Sequence, residues 1–293
     1  EFWHVIHLLS YVAVAFAIPH QFSEGGVLAA GFSRYYWIAL YVLALGSILV
    51  FRFLTPLVRS QRHDVRVSGI EVVGPDVVSV HLSGRNLEAL GSAGGQFFVW
   101  RFWTAKTWWH AHPISLSTAP TDRSARITVR ALGTGSTELG TLPVGTRVWF
   151  EGPYGLFTDA ARTSPKLAIV AAGIGVTPIR ALLEHSRLAP GEATILLRAS
   201  SERQKYLWDE MESLAHDRDA NFYTMIGPRP AGVATWMSAT DLSRNVSLKS
   251  AFPDLINSDL YICGPGPWTD LVVRDARALG LPEHQIHTER FDW

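Results

Sequence analysis

The sequence predicts an α+β multidomain protein with two N-terminal membrane-crossing helices, an antiparallel β-barrel and a doubly wound parallel α/β domain. Three patterns predict it. Apolar stretches fill the first sixty residues, a period-two alternation occupies 64–158, and strands alternate with helical patterns from 166 onward. The expected divisions are 1–60, 61–160 and 161–293, with the polar stretch Asp159–Pro165 between barrel and sheet.

Residues 2–20 are apolar apart from His4, His7, His20 and Ser10. No charged region precedes them and no small-residue cleavage site follows, so they do not read as a signal peptide. The chain reads instead as the C-terminal part of a longer protein. Tyr35–Phe51 carries no charge, and the stretch 35–58 reaches across a hydrocarbon core of ~30 Å at ~1.5 Å per residue. The Tyr35-Tyr36-Trp37 group marks one interface. Arg52, Arg59, Arg62 and Arg66 lie near the other end, which places everything after residue 59 in the cytoplasm. A buried helix of a large soluble domain is the competing account of the same apolar run.

Segments 65–73, 77–83, 95–102, 126–132 and 146–152 read as short strands divided by turn signals such as Gly74-Pro75-Asp76, the pattern of a small barrel. In the last third, KLAIVAA, ATILLRA, NFYTMI, DLYIC and QIHTERF read as strands with helices between them. The balance of 26 basic and 26 acidic residues argues against nucleic acid as a partner. A single cysteine excludes a disulfide framework, a zinc–thiolate cluster and an internal iron–sulfur centre.

Three sites carry chemistry. In the first, strand 166–172 ends at Gly173-Ile174-Gly175 before a helix opening at Thr177-Pro178. Glycines there admit a phosphate, and the helix start offers unpaired N–H groups. Any strand–turn–helix of an α/β protein has the same outline. In the second, Cys263-Gly264-Pro265 ends a strand at the edge where doubly wound sheets place ligands, although a lone cysteine is also a common core residue. In the third, His112-Pro113-Ile114-Ser115 puts a hydroxyl after a rigid turn. Arg130 precedes the loop Gly133-Thr134-Gly135-Ser136-Thr137, whose backbone can wrap a pyrophosphate. After the second strand stand Arg198, Ser200, Ser201, Glu202 and Arg203, which suit a 2′-phosphate, a free ribose or a solvated loop.

The order of these motifs, continued by Glu151-Gly152-Pro153-Tyr154-Gly155 and the terminal Glu289-Arg290-Phe291-Asp292-Trp293, resembles the ferredoxin–NADP reductase superfamily over 64–293. Within it the chain looks closest to the ferric reductase and NADPH oxidase group, whose flavodomain follows a haem-carrying membrane bundle. The resemblance implies an oxidoreductase that passes a hydride from NADPH or NADH to FAD, then single electrons through b-type haem to ferric chelate or dioxygen. It places His112, Pro113, Ile114 and Ser115 along the flavin, with Ser115 near N5. Arg130, Gly133, Gly135, Ser136 and Thr137 would hold the FAD pyrophosphate. Gly173, Gly175, Thr177, Pro178, Arg198 and Arg203 would hold the nicotinamide nucleotide. Cys263, Gly264 and Pro265 would stand beside the nicotinamide, and Phe291 or Trp293 would cover the flavin. Plant-type members carry Arg and Tyr where His112 and Ile114 stand, so ring stacking on that face departs from their pattern.

His7 and His20 are metal-ligand candidates. A histidine in an apolar span needs a partner, and their spacing rises ~20 Å along a helix, as two stacked haems require. A straight helix turns the two side chains about 140° apart, so Pro19 or tilt must correct the angle. Each such haem needs a second helix from outside this chain. A haem-free anchor, with the flavodomain serving a protein partner, is the alternative.

Overall fold

A computed structural model describes residues 2–24, 26 and 31–291. The chain divides into two compact units, 1–58 and 59–293. The first holds α1 (Phe2–Ser23) and α2 (Phe32–Ile48), the latter continuing through a π-helical segment, Leu49–Leu54, into α3 (Thr55–His63). Tyr41 donates its hydroxyl to Gln21 at 2.8 Å, joining α1 to α2. Among the described residues one helix is long and apolar enough to cross a membrane, the continuous run Phe32–His63. One span therefore stands where two were expected. Several side chains of α1, His7 among them, lie outside the described residues. Nothing in the apolar window of the 32–63 helix is buried against protein, and Phe32, Leu43 and Phe51 are largely exposed.

In the second unit the last turn of α3 is pinned to the barrel. Arg59 donates to the carbonyls of Gly152 and Leu90, and the Phe150 N–H donates to Ser60 Oγ at 3.2 Å. The barrel comprises β1 (Arg66–Gly74), β2 (Val77–Ser83), β3 (Phe97–Phe102), β4 (His112–Ser115), β5 (Ser124–Arg130) and β6 (Val148–Tyr154), with the short helix α4 (Thr134–Glu138) after β5. They form antiparallel sheets β1-β2-β5 and β4-β3-β6, joined by bridges Arg66–Arg147 and Leu116–Ile127. Alternation explains the closure. Val67, Val80, Leu82, Phe98, Trp100, Phe102, Ile127 and Phe150 all turn inward into one core while their neighbours face out.

The rest is a five-stranded parallel sheet. Its elements are β7 (Lys166–Ala172), α5 (Val176–His185), β8 (Ala193–Ala199), α6 (Trp208–His216), β9 (Asn221–Ile226), α7 (Ala239–Ser243), α8 (Leu248–Ala251), β10 (Ser258–Pro265), α9 (Gly266–Ala278) and β11 (Ile286–Phe291). The order β11-β10-β7-β8-β9 reverses between β7 and β10. Helices α5 and α6 cover one face, and α8 and α9 the other. A sheet buried on both faces demands the continuous apolar runs of β7 and β10, and the reversal opens a crevice at their C-terminal ends.

Candidate active site

That crevice is a cavity of about 290 Å³ lined by Arg130 from the barrel and by Gly173, Arg198, Arg229, Pro265 and Phe291 from the sheet side. Gly173 ends β7 with φ 55°, a left-handed conformation that glycine adopts freely, and a Cβ there would meet nothing within 4 Å. The turn is thus open toward the cavity. Gly175 serves otherwise: a Cβ on it would lie 2.3 Å from the Cys263 carbonyl oxygen, so its bareness lets α5 pack against the end of β10. Thr177 donates its hydroxyl to the Ile174 carbonyl at 3.0 Å, and Thr177 and Pro178 are both buried. Gly175, Thr177 and Pro178 build the turn, and Gly173 faces the space it frames.

Cys263 differs from the expectation of a group at the reacting centre. It is fully buried in the core with Val176 and Ile179, and burial, then Glu289, push its thiol well above the usual range. It carries no thiolate and is not a proton-transfer group at neutral pH. Gly264 is packed so tightly that a Cβ would touch Trp268 at 2.8 Å, and Pro265 reaches the cavity. Glu289 is paired with Cys263 across β10 and β11, and burial raises its carboxyl to about 7. Only its membership in the terminal motif drew attention to it, although an acid on the last strand beside the sole cysteine was a readable signal. Phe291 lines the cavity, and Trp293 lies outside the described residues.

On the barrel side, the buried polar atoms with no hydrogen-bond partner among the described residues include Ser115 Oγ, Arg130 Nε, His112 Nε2, Glu138 Oε2 and His110 Nδ1. Buried polar atoms are almost always satisfied, so this concentration along β4, β5 and α4 marks where a bound group belongs. Ser115 is only 3% exposed. His112 is held below its ordinary pKa by burial, then by His110, against the pull of Glu138, and is a neutral ring at pH 7. Gly135 lies under it, with room for a Cβ only at 3.3 Å from the imidazole. Cross-strand pairing sets Ile114 opposite Phe98 and His112 opposite Trp100, so these two share the face of the barrel core, while Pro113 and Ser115 face the other way. Ile114 accordingly packs against the core.

Two hydroxyls expected to reach a pyrophosphate are already used. Ser136 Oγ accepts from the N–H groups of Leu132 and Gly133 at 2.9 and 3.1 Å, and donates to the Gly133 carbonyl. Thr137 also donates to that carbonyl at 3.0 Å. They shape the loop, which leaves Arg130 and backbone N–H groups for an anion. Gly133 borders a neighbouring hollow with Glu138.

Among the arginines after β8, Arg198 lines the cavity but spends its guanidinium on the carbonyls of Trp236 and Gly227 at 2.9 and 3.0 Å. Burial, then Arg229, hold its pKa down. Arg203 is exposed on a 3-10 turn, away from the cavity lining. Arg229, which no sequence pattern singled out, lines it instead; the loop after β9 brings it there. Of the two haem-ligand candidates, the His7 side chain lies outside the described residues, and His20 is exposed near the end of α1. No group of three metal-ligating side chains is assembled among the described residues.

A closed antiparallel barrel with orphaned polar atoms, set against the switch point of a parallel sheet, defines a two-domain flavin and pyridine-nucleotide oxidoreductase. No family model matches the chain. It is 35% identical to ferredoxin–NADP reductase B of Sorangium cellulosum over 170 residues, 55% of this chain and 68% of that protein. Against a flavohemoprotein of Xylella fastidiosa identity is 27% over 206 residues, 67% of this chain and 50% of the relative. The flavohem-like FAD/NAD-binding domain of a Vibrio cholerae nitric oxide dioxygenase superposes with a TM-score of 0.61 at 23% identity, covering 79% of this chain and all of that domain. The chain belongs to the ferredoxin–NADP reductase family. It is an NAD(P)H-dependent flavoprotein oxidoreductase, with FAD and a nicotinamide nucleotide as the cofactors of its class.

Proposed function

We propose that this chain is the reductase portion of a membrane-bound electron-transfer protein, taking a hydride from NAD(P)H onto FAD and handing electrons on singly. The observation that carries the cofactor assignment is the shared cavity of Arg130, Gly173 and Phe291, together with the buried, unpartnered hydroxyl of Ser115 on the barrel. Bound FAD supplies the redox chemistry, accepting two electrons together and releasing them one at a time. The chain supplies placement. Arg130 offers positive charge to the FAD pyrophosphate, and neutral His112 with Glu138 borders it. Ser115 offers a hydrogen bond toward flavin N5, while the Gly173 turn admits the nucleotide phosphate. Phe291 lines the cavity and, with FAD bound, would shield the flavin face from water until nicotinamide enters. Anaerobic addition of NADPH or NADH to the FAD-loaded chain should bleach the flavin absorbance; an unchanged spectrum overturns this reading.

Glu289 adds a pH signature. Its folded-state pKa of about 7 exceeds the ordinary 4.5, so the folded form holds the proton more tightly. The stabilisation is complete below pH 4.5, falls away as pH rises through 7, and is absent above that. Glu289→Gln should abolish this dependence and raise stability at pH 8 by about 1–2 kcal/mol. It should also flatten the limb of the kcat/KM profile near pH 7; a wild-type slope retained in the variant refutes the assignment.

Arg229 and Arg198 make the nucleotide cavity cationic, which favours NADPH. Arg229→Ala should raise KM for NADPH about tenfold, the size of one lost charge-assisted bond, and leave NADH nearly unaffected. Equal effects on both nucleotides would remove Arg229 from the 2′-phosphate site.

The membrane part of the proposal rests on the unburied apolar helix 32–63. A second feature supports it: Trp103, Trp108 and Trp109 are each half exposed beside Lys106, with Trp149 stacked on Trp103 at 4.9 Å. Indole rings at a surface suit a lipid interface. On this reading the reductase domains are cytoplasmic, lipid surrounds the N-terminal helices, and His7 and His20 supply half of each b-type haem site. The acceptor is then ferric chelate or dioxygen. The name of the Sorangium relative favours a second reading, a ferredoxin-like protein acceptor with a haem-free anchor. A b-type haem spectrum in the full-length protein separates the two, and assays of ferric chelate reduction against superoxide formation then separate the acceptors.

A further inference from the structure

Away from the cavity, the barrel and the sheet are joined by a partly buried ion network in which the arginines are buried and the carboxylates reach solvent. Glu210 on α6 receives Arg126 of β5 in a two-pronged pair, Nη1 to Oε1 at 2.9 Å and Nη2 to Oε2 at 2.8 Å. The same carboxylate takes Arg180 of α5 through Nε at 2.5 Å. Arg180 also donates to the Ser117 carbonyl at 3.0 Å and to Glu184 at 2.8 Å, and Glu184 accepts the Ala119 N–H. Arg126 reaches Ser117 Oγ as well, from which a hydroxyl chain runs through Thr128 to Ser79 inside the barrel. Both arginines are 8% exposed. Burial would lift the Glu210 carboxyl, but the bonds and charges of Arg126 and Arg180 outweigh it and hold the group below its ordinary range.

The placement of these residues matters more than their strength. Ser117 lies just past Ser115 on the segment that lines the flavin side. Arg180 lies one turn and a half into α5, the helix that opens from the Gly173–Gly175 turn. One guanidinium therefore ties the strand presenting the flavin hydroxyl to the helix presenting the phosphate turn. Two single hydrogen bonds also cross here, from the Tyr206 hydroxyl to the Pro75 carbonyl and from the Tyr261 hydroxyl to the Thr158 carbonyl, and the remaining contacts are close packing. Gly94 approaches so near that a Cβ would sit 2.2 Å from the Ala181 carbonyl oxygen, and Gly74 lies against the ring of Tyr206. An ion network whose arginines are buried is a poor source of net stability compared with apolar packing, and its best use is to specify one arrangement.

We propose that Glu210, with Arg126 and Arg180, is a positioning residue that fixes the nicotinamide-binding sheet against the flavin-binding barrel at the distance hydride transfer requires. Reacting atoms must meet at roughly 3–3.5 Å, and a small misalignment of one domain costs rate without costing affinity. The inference rests on the flavin reading for its kinetic consequence, although the geometry of the two halves can be tested without cofactor.

The test uses the full chain with Glu210→Gln and, separately, Arg180→Lys. At saturating NADPH or NADH the rate of anaerobic flavin bleaching should fall at least tenfold. KM should stay within threefold, and FAD content and dithionite reduction should be unchanged. Spin labels at Val72→Cys and Leu279→Cys, selective because the native Cys263 is buried, should give a narrow distance distribution that broadens in both variants, with or without FAD. Bleaching rates within twofold of the parent and an unbroadened distribution would overturn the proposal. So would failure of both variants to fold, since the network would then be a stability element. If the parent itself is not bleached by NAD(P)H, the flavin reading falls, and the label distances alone decide the positioning claim.

Discussion

Ser115→Ala is expected to slow flavin reduction by NAD(P)H about 10–100-fold while FAD stays bound, and to leave the cofactor-free chain at least as stable as the parent. The two halves of that result have one cause. Ser115 Oγ is buried and has no hydrogen-bond partner among the described residues. A hydroxyl in that state costs roughly 1–3 kcal/mol, so deleting it in the absence of a ligand removes a penalty rather than a bond. With FAD in place the hydroxyl has an acceptor or donor to meet. A fixed donor aimed at the site where charge changes contributes to rate out of proportion to its contribution to binding. Stopped-flow bleaching gives the first half, and thermal unfolding of FAD-free protein the second. A variant that unfolds earlier without cofactor, or that transfers hydride at the parent rate, would show the hydroxyl to be structural.

The sequence is legible wherever periodicity decides the outcome. The strands at 77–83, 166–172, 193–199 and 221–226 end where the pattern places them: 77–83 by alternation, and 166–172 and 193–199 as continuous apolar runs buried on both faces. The barrel and the parallel sheet follow from those strands. The open glycine turn at Gly173 and the positions of Ser115 and Arg130 at strand ends follow from the same pattern, because glycine at a strand end and polar side chains beside an apolar run stand out in the sequence. What the sequence hides are distances between remote segments. Nothing local says that Gly175 is bare for the sake of the Cys263 carbonyl, or that the Ser136 and Thr137 hydroxyls turn back on Gly133. Nor can it show that Arg203 points to solvent while Arg229, from the loop after β9, enters the cavity. Cys263 has the right sequence neighbours for a site at a strand end, yet the pleat sends its side chain into the core beneath α5. Arg126, Arg180 and Glu210 read as unremarkable charges on a strand and two helices, and become a unit only when the domains meet.

Arg130→Met should weaken FAD binding by about 10–150-fold, the loss of one charge-assisted contact of roughly 1.5–3 kcal/mol to a pyrophosphate. Methionine keeps the aliphatic stem, so the β5 end stays packed and the effect isolates the guanidinium. Arg130 Nε is buried without a partner, and the residue lines the cavity opposite Gly173 and Phe291. A cation in that state is costly until an anion arrives, which gives the prediction its sign: the cofactor-free variant should be no less stable than the parent, and the parent should gain more from FAD. The contact is electrostatic and partly screened, so raising the salt should weaken FAD binding in the parent more steeply than in the variant. Equilibrium dialysis of FAD at two ionic strengths measures both effects. If Arg130→Met holds FAD as tightly as the parent, the pyrophosphate must lie elsewhere, and the Gly133–Thr137 loop would lose its assigned ligand along with it. Hydride transfer would then need a different flavin pose from the one that puts N5 beside Ser115. Arg130 and Ser115 are therefore tested together, since the bridge between Leu116 and Ile127 sets the end of β4 beside β5, the strand that ends in Arg130.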